Sequence, residues 1–145
     1  MRDTEEPRLY ADLMLHVAQY LNREHGFPDP LEEQDGFEGV FITRWKDEPN
    51  KAINLAGPWE YDRDSETVPA TRFLVAHRAE NQPVLWELQR RVFRALEREQ
   101  PFPLTATVQM RYCKRVLSDP PVPDQNGRYV VVDTYECRPY RGTNN

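Results

Sequence analysis

Glycine is scarce, with six in 145 residues. Loops that cradle phosphates need positive φ and close backbone approach, so a chain this poor in glycine has little material for them. GxSxG, HExxH and the glycine-rich nucleotide motifs are all missing. Cysteine is scarcer still: Cys113 and Cys137 are too few for a disulfide scaffold. With no CxxC or HxxxH spacing, zinc is not expected either, and the pair reads as free, partly buried thiols in a reducing compartment. No segment approaches the ~18 consecutive apolar residues of a membrane span. The opening MRDTEEPRLY is acidic and lacks the apolar stretch of a secretion signal. Positive charge is not in excess: 24 Asp and Glu outnumber 19 Lys and Arg, for a net charge of −5. That balance disfavours nonspecific binding to nucleic acid or anionic lipid.

What the chain does have is aromatic residues, at 11%, enough to argue against disorder despite 30% charged residues. Its length suits one domain, 1–145, with a real core. Leu9, Leu13, Val17, Tyr20 and Leu21 recur at spacings of three and four, predicting a helix over 6–24 that stops at Gly26. A second helix is predicted over 83–99, capped by Asn81, with Leu85, Leu88, Val92, Ala95 and Leu96 as core stripe. Trp86 and Phe93 are expected to widen its buried face. Strands are predicted at Val40–Trp45, Ala52–Gly57, Thr71–Ala79, Leu104–Leu117 and Tyr129–Cys137. Ala52–Gly57 is read as the strand returning from a KDEPNK turn. The order α-β-β-β-α-β-β makes a two-layer α+β domain, with about five mostly antiparallel strands packed by two helices.

Candidate chemistry is thin. Among the histidines, His77 lies inside a predicted central strand and is the best candidate base, although a strand histidine is more often structural. Asp62, Asp64 and Glu66 lack the glycine and terminal glutamate of a calcium loop. Arg90, Arg94 and Arg98 fall at i, i+4 and i+8, a possible phosphate-tracking stripe. Glu87, Glu97 and Glu99 interleave with them, and Glu87 can pair with Arg90 or Arg91, which favours a solvated helix face. No catalytic centre, cofactor or metal is expected.

The features left over suit protein contact. Pairing the last two strands places Val108, Met110, Tyr112, Val116, Val130 and Val132 under the helices. Gln109, Arg111, Tyr129, Val131, Asp133 and Tyr135 then make a mixed, interface-like outer face. Trp59 and Tyr61 sit among charges in what reads as an exposed connector, PWEYDRDSETVPA. A long loop, Ser118–Arg128, holds Pro120, Pro121 and Pro123 before an Asp-Gln-Asn-Gly turn. Its stiffness lowers the entropy lost on docking. Asp119 and Asp124 make nucleic acid a poor target, so the predicted interface residues are Trp59, Tyr61, Arg111, Asp119, Pro121, Asp124, Tyr129 and Tyr135.

Four pieces in order carry a resemblance: RLYADLMLHVAQYL, VFITRWKDEPNKAINLAGPWEYD, RFLVAHRAENQPVLWELQRRVFRAL and SDPPVPDQNGRYVVVDTYECR. Together they resemble the bacteriophage tail terminator family of minor capsid or tail-completion proteins. The acidic stretch Pro28–Glu38 is longer than that pattern. The resemblance implies a structural virion protein: a ring, usually a homohexamer, at the head-proximal end of a tail. Its implied partners are further copies of itself, the tail tube protein and a neck or head-completion protein. Genomic DNA would cross the lumen without specific binding. The alternatives are another neck component, a small cytosolic enzyme using His77, or a nucleic-acid binder using the arginine stripe.

Overall fold

The computed structural model describes residues 11–30, 38–61 and 70–142, with the side chains of 60, 61 and 70 outside the description. Helix α1 spans Leu13–His25 and ends where Gly26 takes φ 72°, its N–H donating to the Leu21 carbonyl. Residues 6–10 of the predicted helix lie outside the described residues. Helix α2, Gln82–Leu96, starts as expected: the Asn81 side chain accepts from the Val84 N–H at 3.0 Å and a proline follows.

The strands are β1 (Glu38–Ile42), β2 (Lys51–Tyr61), β3 (Ala70–Ala79), β4 (Phe102–Pro103), β5 (Val108–Ser118), β6 (Val122–Pro123) and β7 (Tyr129–Arg141). They form one mixed sheet of order β1-β2-β3-β7-β5-β4, with β6 added beside β7, curled into a half-barrel. The α+β reading holds broadly, but the described residues form seven strands where about five were expected. The chain does not return in β2 as a hairpin would: β1 and β2 are parallel, from Glu38↔Lys51 to Ile42↔Leu55. Thr43, at φ 71°, turns the chain out of β1, its N–H donating to the Leu55 carbonyl. The link 43–50 then travels back along the sheet. Strand β2 also runs on through Pro58 to Tyr61, so Trp59 belongs to a strand that pairs Arg72, past an irregularity between Ala56 and Trp59.

Both helices cover one face. They are joined by the Tyr20 hydroxyl, which donates to the Ala95 carbonyl at 3.0 Å. Phe73 and Val75 of β3, and Tyr135 and Cys137 of β7, face them with Val108, Met110 and Cys113 of β5. The expected faces of β7 are therefore inverted: Val131, Asp133 and Tyr135 are buried, while Val130 and Val132 are half-buried on the other side. The cause is two bulges in β5, between Met110 and Cys113 and between Arg115 and Leu117. Each inserts a residue and reverses alternation, so Tyr112 drops to the helix-free face. Trp86, expected to widen the core stripe, is 52% exposed.

Candidate docking surface

The proline loop is a built structure and not a loose tether. Asp119 N–H donates to the Val132 carbonyl at 3.0 Å, and β6 pairs β7 through Val122↔Val130. The turn then closes on Asp124, whose carboxylate accepts from the N–H groups of Asn126 (2.8 Å) and Arg128 (2.9 Å) and from Arg128 Nε (2.9 Å). Partial desolvation opposes ionisation of Asp124, but these donors outweigh it and hold its carboxyl below the usual range.

Arg128 carries the loop across to the β1–β2 link. Its guanidinium donates to the Asp47 carbonyl at 2.6 Å and to Asp47 Oδ1 at 2.8 Å. Asn126 Nδ2 donates to the same Oδ1 at 3.0 Å. From below, Arg78 of β3 donates to the carbonyls of Lys46 (2.8 Å), Pro49 (2.7 Å) and Asn50 (3.2 Å), and lies 4.5 Å from the Trp45 ring. Two arginines thus clamp two loops, and an open groove between them is walled by Trp45, Pro123 and Val130. Burial, then the neighbouring Arg128 charge, pull the Arg78 pKa down. For Arg128 burial also disfavours charge, but Asp47 and Asp124 prevail and raise it. Arg78 was the missed residue. Its signal was a second arginine at the end of a mostly apolar strand, a charge that needs partners when buried.

The predicted interface residues fall at both ends of the sheet. At the loop end stand Asp119 and Pro121, both exposed, the tied Asp124, and Tyr129, half-buried against Ala79, Leu85 and Val131. At the other end stand Trp59, 41% exposed, and Arg111, whose guanidinium lies 4.9 Å from the Tyr140 ring. Tyr61 closes β2, its side chain outside the described residues. Tyr135 is a correction: its side chain is fully buried and stacked on Phe73 at 5.7 Å, so it serves the core.

The remaining candidates for chemistry separate. His77 is fully buried, with Nδ1 3.1 Å from the Val131 carbonyl and Nε2 without a partner among the described residues. Beside it in the fold, Asp133 accepts from Ser118 Oγ at 2.6 Å and from Gln89 Nε2 at 3.0 and 3.1 Å. Those bonds join α2 to the root of the proline loop. No solvent reaches the ring, so a substrate could not meet it as placed. Arg90 and Arg94 are exposed on α2, but the helix ends at Leu96 and Arg98 bridges to Cys113 instead, so the stripe is broken. Arg91 pairs with Glu38, at 2.8 and 3.1 Å, and not with Glu87. Cys113 and Cys137 are free, buried and opposite each other, and burial raises both thiol pKa values, leaving them unreactive. Asp62, Asp64 and Glu66 lie outside the described residues. Among the described residues no three metal-binding side chains converge, and no helix is long and apolar enough to cross a membrane.

No family model matches the chain, and no curated protein does. Among solved structures the fold is similar to a chain of "Virion of native gene transfer agent (GTA) particle", with a TM-score of 0.58. The likeness covers 87% of this chain and 92% of that one at 11% identity. At that identity it is a likeness of fold.

Proposed function

We propose that this chain is a structural protein of a phage-like particle, forming a ring of six copies at the head-proximal end of a tail. There it ends growth of the tube and joins the tail to the neck. The observation that carries this reading is the fold likeness to a chain of a gene transfer agent virion over nearly the full length of both. The four ordered sequence pieces support the finer assignment. Docking groups at two opposite ends of the sheet suit a ring that must meet one neighbour below and another above. Catalysis has no place in this reading: the loops meet proteins, and DNA passes an acidic chain without being held.

The test is to replace Asp119–Gln125 by a tight turn that keeps the β5–β7 register. Phage-like particles carrying the shortened chain should contain it in folded form, yet show overlong tails or tails detached from heads. Normal joined particles would sink the docking role of the loop. A wild-type chain found by labelling anywhere but the tail–neck junction would sink the terminator reading itself.

A further inference from the structure

Cys113 and Cys137 are the two cysteines of the chain, and the fold sets them directly opposite each other on β5 and β7. Residues 114–136 separate them, so the hairpin that carries the proline loop is what brings them together. Opposed residues on antiparallel strands send their side chains to the same face. Here that is the helix-covered face, and both side chains are buried in the same apolar cluster. Backbone hydrogen bonds fix the kind of pair. Cys113 N–H donates to the Arg98 carbonyl at 2.8 Å, and Arg98 N–H donates to the Cys113 carbonyl at 2.7 Å. Both backbone groups of Cys113 therefore point away from β7, which makes Cys113↔Cys137 a non-hydrogen-bonded pair. That is the closer of the two antiparallel spacings, about 4.5 Å between Cα atoms. A disulfide spans roughly 4.4–6.8 Å between Cα atoms, so the strands need not move apart or together to accept one.

Proximity also shows in the electrostatics: after burial itself, Cys137 is the next cause that raises the Cys113 pKa. Burial keeps either thiol from ionising in the closed fold, so neither meets a reagent there. It also decides what the pair can become. A packed core has no room for a bulky adduct on one sulfur, because overpacking destabilises. A bond between the two sulfurs adds no atom to the core. Its route is thiol–disulfide exchange in the open chain, with a low-molecular-weight disulfide, RSSR, as the oxidant. The Cys113 thiolate attacks one sulfur of RSSR, forms a mixed disulfide and releases one RS⁻. The Cys137 thiolate then attacks the Cys113 sulfur and releases the second RS⁻. The two protons given up by the cysteines end on the two departing thiols, so dithiol and RSSR become protein disulfide and two RSH.

We propose that Cys113 and Cys137 form a cross-strand disulfide when the chain meets a small-molecule disulfide, and that this bond latches the hairpin carrying the proline loop. The bond goes beyond the ring reading and does not depend on it. It closes residues 114–136 into a loop and so restricts the unfolded chain. It also stands between the two bulges of β5, where the ladder to β7 is interrupted on either side, and holds the register there. One consequence does rest on the virion reading: a protein of a released particle folds among reduced thiols and works among oxidised ones. The latch would then close on the docking element after assembly.

The experiment refolds the purified full chain from urea in about 1 mM each of reduced and oxidised glutathione, so that burial cannot keep the oxidant out. Remaining thiols are alkylated under denaturing conditions and the intact mass is read. Most of the chain should be lighter by two hydrogens, free of alkyl and glutathionyl groups, and monomeric on a non-reducing gel. Against the same chain refolded with a reductant, it should melt higher by roughly 5–10 °C. Cys137→Ser under the same treatment should show no oxidant-dependent rise, which separates the bond from an effect of the buffer. A chain that does not refold is tested by the same exchange without full unfolding, in urea just below its midpoint, with the same product expected. Native chain with both thiols alkylated, or a glutathione adduct or a linked dimer in place of the internal bond, overturns the proposal. A disulfide form that melts no higher than the reduced form overturns the latch.

Discussion

His77 has both ring nitrogens shut off from solvent, one held by the Val131 carbonyl and one without a partner among the described residues. Burial is the main cause of its lowered pKa, opposed by the Asp133 carboxylate and reinforced by Arg115. In the unfolded chain the ring takes up a proton near 6.5, in the fold only at lower pH. Between these values the unfolded state binds more protons. Stability is therefore full above about pH 6.5 and falls as pH drops toward the folded value. Urea midpoints taken from about pH 7.5 to about pH 5 should show this decline, and His77→Gln should flatten it. Gln keeps a donor for Val131 and has no proton to gain. A residual slope is expected from His16 and His25, whose pKa values burial also lowers. If the slope in His77→Gln equals that of the wild type, those two carry the whole effect. The placement of His77 in a buried strand was legible from its apolar neighbours. Its bare Nε2 was not, because that depends on what β2, β7 and α2 bring around the ring.

At the scale of elements, the proline loop and the β1–β2 link behave as one unit because Arg128 and Asn126 share Asp47. Arg128→Ala should therefore raise amide hydrogen exchange by roughly tenfold in 43–50 and in 119–128 together, with β3 and β7 unchanged. Faster exchange confined to 119–128 would mean that Arg78 alone holds the other loop. The stiffness of the proline loop could be read from its three prolines, and its turn from Asp124 to Gly127. Its partner could not, since Asp47 lies 81 positions away from Arg128. The face of β7 was misread for a related reason. Alternation is a local signal, and two bulges in the neighbouring strand altered it.

For the whole molecule, the question is which exposed groups serve assembly and which serve the fold. Trp59, at 41% exposure on the end of β2 away from the proline loop, is the sharpest case. Trp59→Ala should shift the melting temperature by less than about 4 °C and still reduce the yield of assembled particles. A fall beyond about 10 °C, the scale of emptying a core tryptophan site, would make it a packing residue.

By itself the sequence determined the two helices, the Gly26 stop and the Asn81 cap, most of the core stripes and strand positions, the turn chemistry of the proline loop and the absence of recognisable catalytic motifs. These are written in spacings of two to four residues and in local dihedral preference, which act before any distant contact forms. Only the tertiary structure decided that β1 runs parallel to β2, that Tyr135 is core, that Trp86 is surface, and that Arg78 and Arg128 join two loops. Each of these depends on long-range register and on where a buried charge finds its partners. Neither is set by neighbours in the chain, because both follow from which strands meet and how the bulges between them turn the side chains.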